Sequence, residues 1–520
     1  MFLFRVSKYF LEVKKMKKMF VLLLSLLMMA GMMTLTSCRT EDLVDGERVF
    51  RFVLESDINS ADPNFRTLIA EHNLYRQIYS SLFFFNRHTN EIEPRMAERF
   101  RVSDDGLVYT IYLKRGVLFH DGVEATARDV GFTVQTAAAS TYIGTTVASF
   151  DRYVIIDSHT IEIHLSSPHA SFFENMAQLY ILPRDYYLRV GPDGFRENPI
   201  GSGPYRMVSR VPGSYILLEA FEDYHRGVAP IRHVRMVIMP DATAAAAALE
   251  TGEVHLMTVA SANYNQFRAM RGVNLLTAVS PHITCVHMNT EVFPFDNVLV
   301  RQAVNYAVNR QFMLDVAFDG LGVVSSNMVS PLMFGYNPNA RQFTYNPARA
   351  RELLAQAGIT TPLHIGDIGA TAFGARIAPI LQENLADIGL MANIAVTDIS
   401  FIAEANRGNY TIGIMGLGVY NGVAWDMDAY SILFDSAAIN AFNLPRISNP
   451  RIDELFVLGR STPDPAQRLA YYQELNNLVQ EDAGWVMLYH RLGIFGHRDN
   501  INVVLHPPNI FHFNEFSWVN

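Results

Sequence analysis

The sequence predicts an α/β protein of two or three domains, and three observations lead to this prediction. The chain has 520 residues, more than one ordinary domain holds and enough for a large core. Amphipathic helices alternate with short apolar strands, a pattern typical of βαβ units. The composition includes only two cysteines, Cys38 and Cys285, so apolar burial rather than a disulfide framework must stabilise the fold.

The N-terminal segment predicts a secretory signal peptide over residues 1–37. Lysines cluster within residues 14–18, an apolar run covers residues 19–33, and small residues precede Cys38. A basic start, a short apolar core and small residues before a cut describe such a signal. The run is shorter than a membrane-spanning helix requires, and an uncleaved anchor helix is the alternative. None of these residues contributes to the predicted fold.

The charge of the remaining chain argues against a nucleic-acid partner. Residues 1–37 contain six basic residues and one acidic residue, so the whole-chain charge of −9 leaves a net charge of about −14 on residues 38–520. Nucleic-acid binding requires a basic surface that faces the phosphate backbone. The composition therefore predicts a protein that does not bind nucleic acid.

Helix and strand signals alternate from Asp241 onward. Asp241 precedes an alanine-rich helix that ends at Gly252, and a strand is predicted over residues 254–259. Asp296 is predicted to cap the amphipathic helix that covers residues 300–308. Later helices begin at Asn-Pro or Asp-Pro pairs or end at glycine, because proline suits the first helical turn and glycine the end. The later predicted elements are helices over residues 347–357, 377–388 and 465–478 and a strand over residues 391–396.

The sequence contains no motif that predicts catalysis or metal binding. It lacks a Gly-x-x-x-x-Gly-Lys phosphate loop, a His-Glu-x-x-His zinc motif, paired Cys-x-x-Cys ligands and a Gly-x-Ser-x-Gly nucleophile turn. Cys285 lies in a strand-like run and is predicted to be a buried, inert thiol rather than a nucleophile. We therefore expect no catalytic residue, no metal site and no cofactor, although a catalytic triad is spatial and leaves no such signature.

Four ordered motifs lie in the first third of the chain. They are Pro94-Arg95-Met96-Ala97, the run from Ser103 to Thr110, the run from Leu113 to Gly122, and Thr126-Ala127-Arg128-Asp129-Val130. In this order they resemble the family 5 extracellular solute-binding proteins of the oligopeptide- and dipeptide-binding type. The pair Asp105-Gly106 is also a hairpin-turn signal, and residues 108–113 alternate as a strand does.

Further motifs extend the resemblance nearly to the C-terminus. They are Pro199 to Tyr205, Ala248 to Val254, Pro294-Phe295-Asp296, Val300 to Val304, Asp426-Met427-Asp428, and Ser448-Asn449-Pro450 with Asp453. The resemblance implies a type II periplasmic-binding-protein fold, with two lobes around a ligand cleft and an extra inserted domain. It assigns residues 45–85, 200–275 and 490–520 to lobe I, residues 86–199 to domain II and residues 276–489 to lobe III.

The resemblance also implies a function. The protein would capture a ligand, with a peptide as the first expectation, and deliver it to the permease subunits of an ABC importer. Leu35-Thr36-Ser37-Cys38 resembles a bacterial lipoprotein signal, so Cys38 would carry lipid and anchor a monomer at the outer face of a bacterial membrane or in the periplasm. The alternatives are a non-peptide solute, such as a metal chelate or an oligosaccharide, and a sensor or enzyme built on this fold.

The resemblance places ligand-binding residues around Asp426. Peptide-binding members hold the peptide's amino group with an aspartate a few residues earlier, but this chain has Gly422 or Val423 there. Trp425 would stack on the ligand or pack in the core. Asp426 would be a counter-charge for a ligand cation or a helix cap. The ligand-binding residues inferred in this way are Tyr420, Asn421, Trp425 and Asp426.

Overall fold

The computed structural model has an α/β architecture. It describes residues 43–44, 46–65, 67–86, 91–176, 178–331, 333–371, 374–398, 400–417, 426–506 and 509–519. Within these residues there are one large mixed sheet, one four-stranded sheet and two short strand pairs. The strand pairs are Phe83–Asn86 with Glu91–Pro94 and Ile501–Asn502 with Ser517–Trp518.

The large sheet contains both parallel and antiparallel neighbours. Leu363–Thr371 pairs in parallel with the strands on either side of it, as βαβ connections require. Two short strands lie beside the main path, Leu43–Val44 next to Glu47–Leu54 and Gly322–Val324 next to Trp485–Arg498. The main path runs through Leu390–Thr397, Leu363–Thr371, Ile412–Leu417, Val273–Met288, Trp485–Arg498, Leu256–Thr258, Glu47–Leu54, His233–Ile238, Tyr215–Ala220 and Tyr205–Val211.

Two long strands connect the two halves of this sheet, and we call them the crossing strands. They are Val273–Met288 and Trp485–Arg498, and they pair with each other in antiparallel orientation. Near their middle the register is interrupted between Val279 and Ile283. An interruption of this kind breaks the regular ladder of hydrogen bonds and lets the strands bend.

Separate apolar cores lie on the two sides of the interruption. The first lobe has cores around Phe50 and Leu249, and the second lobe has cores around Leu381 and Trp485. Each of these four side chains is almost fully buried. The structure therefore has two lobes, while the residue boundaries inferred for lobe I, domain II and lobe III stay a prediction.

A third body, which we call the four-stranded unit, spans residues 97–181 and has its own core around Ile111 and Phe172. The predicted turn at Asp105-Gly106 is confirmed, because Gly106 has φ of +69° and donates its N–H to Ser103. The strand predicted over residues 108–113 is also confirmed. Its antiparallel strands lie in the order Ala97–Val102, Val108–Leu113, Thr160–Leu165 and Phe150–Asp157.

The helices begin and end largely where capping residues predict. Asp241, Asn346 and Asp464 each accept a backbone N–H from the first turn of the helix that follows them. The α-helices are Ile69–Ile78, Ala127–Ala139, Phe172–Met176, Arg184–Glu197, Ala242–Thr251, Tyr264–Arg268, Val298–Ala307, Arg310–Phe318, Pro347–Gln356, Ala378–Ala386, Ser400–Asn406, Ser431–Phe434, Pro450–Ser461 and Pro465–Asp482. Short 3-10 helices cover Pro63–Phe65, Gly144–Val147, Ser261–Asn263, Gly374–Arg376, Met427–Tyr430, Ser436–Ala438 and Phe513–Glu515.

One predicted cap is wrong. The helix Val298–Ala307 is capped by Asn297, whose side chain accepts the N–H of Leu299, and not by Asp296. The first helical residue is Val298, so the capping position is Asn297, and Asp296 lies one residue too early to cap the helix. The strand predicted over residues 254–259 is also shorter and covers Leu256–Thr258.

No helix among the described residues has both the length and the apolar character that a membrane crossing requires.

Candidate functional site

Of the ligand-binding residues inferred from the sequence, the structure describes Asp426. Tyr420, Asn421 and Trp425 lie outside the described residues, as does Cys38. The candidate site is therefore built here from Asp426 and the elements that contact it.

Asp426 lies at the start of the 3-10 helix Met427–Tyr430, in a buried position. One carboxylate oxygen accepts the N–H of Asp428 at 2.7 Å and so caps this short helix. The backbone after Asp426 is held by Phe334, whose carbonyl accepts the N–H of Met427 at 3.0 Å. The capping interaction considered for Asp426 is thus present, and its role as a counter-charge for a ligand stays a prediction.

Arg468, on the helix Pro465–Asp482, is the charged partner of Asp426. Its guanidinium forms an ion pair with the Asp426 carboxylate and lies 3.6 Å from a carboxylate oxygen of Glu174. The guanidinium also lies over the ring of Phe334 at 4.7 Å and near that of Tyr472 at 5.6 Å. Its side chain is 5% exposed, so two carboxylates and two aromatic faces take the place of water around it.

Asp428 forms a second ion pair beside the first. Its carboxylate accepts hydrogen bonds from Arg460 at 2.9–3.0 Å and lies 3.7 Å from Nε2 of His169. Burial lowers the pKa of Arg460 and is the largest single effect, but the hydrogen bonds and the charge of Asp428, together with Tyr472 and Asp435, outweigh it and raise that pKa. The Arg460 guanidinium therefore stays charged and compensates the Asp428 carboxylate.

His169 faces Asp428 from the four-stranded unit. Its Nδ1 lies 3.0 Å from the hydroxyl of Ser149, and its Nε2 lies 3.0 Å from that of Ser171. Burial lowers the pKa of His169, and the Asp428 carboxylate offsets this only in part. The ring is therefore neutral at neutral pH and acts through hydrogen bonds.

The segment after Asp426 packs directly on a crossing strand. The hydroxyl of Tyr430 donates to the carbonyl of Pro281 at 3.4 Å, within the interruption between Val279 and Ile283. Burial raises the pKa of Tyr430, so the hydroxyl stays protonated and remains a donor. The short helix that Asp426 caps therefore contacts the crossing strand at the point where the two lobes are joined.

The sequence predicted Asp426 but not its partners. Arg460, Arg468, Glu174 and His169 come from segments far apart in the chain, and no local spacing pattern connects them. A buried aspartate requires a positively charged partner, which in this chain is usually an arginine. The sequence does not indicate which arginine is the partner.

The carboxylates of Asp426 and Asp428 each pair with an arginine, and the described residues provide neither a reactive thiol nor a metal site. Cys285 is buried, and burial raises the pKa of its thiol well above the usual value, so it is a poor nucleophile. Among the residues that the structure describes, there is no group of three histidine, cysteine, aspartate or glutamate side chains that could hold a metal ion.

Comparisons with known proteins agree with this architecture. Heme-binding protein A of Haemophilus influenzae is 29% identical over 465 residues, which cover 82% of this chain and 84% of that protein. The dipeptide-binding protein of Escherichia coli is 27% identical over 478 residues, which cover 85% of this chain and 89% of that protein.

A solved structure shows the same fold. The ABC transporter-associated periplasmic binding protein DppA from Helicobacter pylori, in complex with the peptide STSA, matches with a TM-score of 0.73 at 25% identity. The match covers 90% of this chain and 98% of that one. It confirms the predicted periplasmic-binding-protein fold. Residues 91–441 match the sequence model of the bacterial extracellular solute-binding proteins, family 5 Middle. The chain therefore belongs to the family 5 bacterial extracellular solute-binding proteins.

Proposed function

We propose that this protein is the extracytoplasmic binding component of an ABC importer, which captures a solute between its lobes and delivers it to the permease. The observation that carries the proposal is the pair of crossing strands, which joins two separately cored lobes through an interrupted ladder. Such a connection lets one lobe rotate against the other, so ligand binding shifts an equilibrium between open and closed forms. Membership of the family supports the same proposal.

The first proposed ligand is a peptide. Support comes from the Escherichia coli relative, which is named for dipeptide binding, and from the Helicobacter pylori protein, which was solved with a peptide. We place the ligand against Tyr420, Asn421, Trp425 and Asp426, with the indole of Trp425 stacked on it. Asp426 is the proposed counter-charge for a ligand cation.

A second candidate is a non-peptide solute, and two observations favour it. The position where peptide-binding members carry an aspartate holds Gly422 or Val423. The charge of Asp426 is already compensated by Arg468, so a ligand amine gains less from this carboxylate. The proposed non-peptide ligands are metal chelates and oligosaccharides. Support for a non-peptide ligand also comes from the relative that is named for heme binding.

The remaining parts of the proposal concern location and chemistry. We propose that Cys38 carries lipid and anchors a monomer at the cell envelope, which the Leu35-Thr36-Ser37-Cys38 motif supports. We also propose binding without turnover, which the named functions of the relatives support, since they are binding proteins.

Mass spectrometry of small molecules released from the purified protein by gentle unfolding tests the ligand class. We expect peptides, whereas a chelate or a sugar would favour the second candidate. The identified molecule, added back at 100 times its Kd, should stabilise the protein by about 2.7 kcal/mol and make it more compact in small-angle scattering. Recovery of a chemically altered ligand would contradict binding without turnover.

A further inference from the structure

A cluster of charged and polar side chains lies where the four-stranded unit meets the second lobe, and we call it the interlobe clasp. Its members form two neighbouring groups. In one, Arg468 faces the carboxylates of Asp426 and Glu174, and in the other, Asp428 pairs with Arg460 and lies near the neutral ring of His169. The clasp consists of His169 and Glu174 from the four-stranded unit and Asp426, Asp428, Arg460 and Arg468 from the second lobe.

The four-stranded unit is fixed to the first lobe. The N–H of His120 donates to the carbonyl of Gly201 at 2.8 Å, and the N–H of Ile181 donates to that of Ser80 at 3.0 Å. Ser80 lies before this unit, and Gly201 follows the helix Arg184–Glu197, whose buried residues pack in the first-lobe core around Phe50. A rotation of the second lobe about the crossing strands therefore separates the two sides of the clasp.

The clasp contains a main-chain contact as well as charges. The N–H of Ala170 donates to the carbonyl of Arg460 at 2.7 Å, immediately beside the approach of His169 to Asp428. Because Ala170 belongs to the four-stranded unit and Arg460 to the second lobe, this hydrogen bond breaks when the two bodies separate. The Ala170 N–H therefore reports directly on whether the lobes are closed at this point.

The stability of the closed form depends on the charged groups that each side of the clasp contributes. The side chains of Arg468 and Asp426 are 5% and 8% exposed, so both have lost most of their hydration, and Glu174 supplies the second carboxylate. When the lobes separate, water reaches Arg468 and replaces Glu174. Neutralising Glu174 therefore penalises the closed form, in which Arg468 is dry, more than the open form.

We propose that the interlobe clasp holds the two lobes together in the absence of ligand, so that the ligand-free protein spends a substantial part of its time closed. The proposal rests on the proposed function in one respect, the rotation of the lobes about the crossing strands. It goes beyond that function because the closed form is stabilised by the protein's own charges. The clasp then sets how much free energy ligand binding must supply to shift the remaining open molecules to the closed form.

The test uses Glu174→Gln and Asp428→Asn in the ligand-free protein, with Glu474→Gln as the matched control. Glu474 is on the same helix as Arg468 but pairs with Arg451 at an exposed position within the second lobe. Amide hydrogen exchange of the peptide that covers residues 167–174, measured by mass spectrometry, reports on the Ala170 N–H. Small-angle scattering reports on the separation of the lobes, and a melting curve shows that each variant is folded.

We expect exchange in residues 167–174 to accelerate by about tenfold in both clasp variants, because each removes a carboxylate that faces the other side of the clasp at 3.6–3.7 Å, and we expect a larger radius of gyration. The control should match the unmodified protein in both measurements. Unchanged exchange and scattering in folded Glu174→Gln and Asp428→Asn would overturn the proposal. Because no ligand is present, this result is independent of whether the proposed function is right, which the release of bound molecules tests separately.

Discussion

Asp426 serves two partners with one carboxylate. It accepts the N–H of Asp428 as a helix cap, and it pairs with the buried guanidinium of Arg468. Asparagine caps a helix as well as aspartate does, but it carries no charge. The substitution Asp426→Asn therefore removes the ion pair and keeps the cap.

We predict that Asp426→Asn lowers the free energy of unfolding by about 3 kcal/mol, because it leaves Arg468 buried with a single carboxylate neighbour. The control is Asp241→Asn, at an exposed cap whose oxygen accepts the N–H of Ala244, where we expect a change below about 0.5 kcal/mol. Urea unfolding measures both. Equal and small effects in the two variants would mean that Asp426 acts as a cap alone.

Cys38 and Cys285 offer a matched pair for testing the lipid anchor. We predict that Cys38→Ala, expressed in a bacterial host, moves the protein from the membrane fraction to the soluble envelope fraction, since the acceptor of the lipid is gone. Cys285→Ala removes a buried thiol and should leave the fractionation unchanged. If Cys38→Ala stays in the membrane fraction with the same gel mobility, the anchor is not at Cys38.

At the scale of elements, the start of the helix Val298–Ala307 distinguishes two adjacent residues. Asn297 accepts the N–H of Leu299 at 2.9 Å, whereas Asp296 precedes the cap. We predict that Asn297→Ala lowers the free energy of unfolding by about 1 kcal/mol and that Asp296→Ala has a smaller effect. Thermal or urea unfolding measures both variants, and the reverse order would restore Asp296 as the cap.

Local signals predicted elements well because their physical causes are local. Asp241 and the Asn-Pro and Asp-Pro pairs predict helix starts from neighbouring residues alone. The structure shows Asp241, Asn346 and Asp464 each accepting a backbone N–H from the helix that follows. The turn at Gly106 was recognised in the same way. At Asn297 the prediction failed by one residue, because either polar residue satisfies the same pattern.

The clasp could not be predicted in this way. Its contacts between the two bodies are those of Glu174 with Arg468 and of His169 with Asp428, and the two residues of each contact are separated by hundreds of residues in the chain. Only the docking of the four-stranded unit brings these side chains together, and that docking depends on the whole topology. The family resemblance predicted the fold, but it did not predict which charged side chains contact one another.

At the scale of the whole molecule, buried histidines couple stability to pH. Burial lowers the pKa of His120, His225, His490 and His512 from 6.5 to about 4. Between these values the unfolded chain binds protons on these residues that the folded chain does not. Their contribution to stability is therefore complete above about pH 6.5 and is lost as the pH falls toward 4.

We predict that the free energy of unfolding falls between pH 7 and pH 5, by at most about 1.4 kcal/mol per pH unit for each such histidine. Asp62, Asp129 and Asp482 oppose this trend, since burial raises the pKa of each and the folded chain then holds the extra proton. Urea unfolding at several pH values measures the sum. Stability that stays constant or rises on acidification over this range would show that the histidines do not dominate.

The four-stranded unit leaves and rejoins the first lobe at one spot. The N–H of Gly203 donates to the carbonyl of Ile78 at 3.1 Å, and a Cβ on Gly203 would lie 2.5 Å from a main-chain carbon of Ile78. The returning chain thus passes directly against the departing chain, so both ends of the segment that holds the four-stranded unit lie at one place on the first lobe. A change in the length or shape of the four-stranded unit therefore leaves the order of strands in the large sheet unaltered.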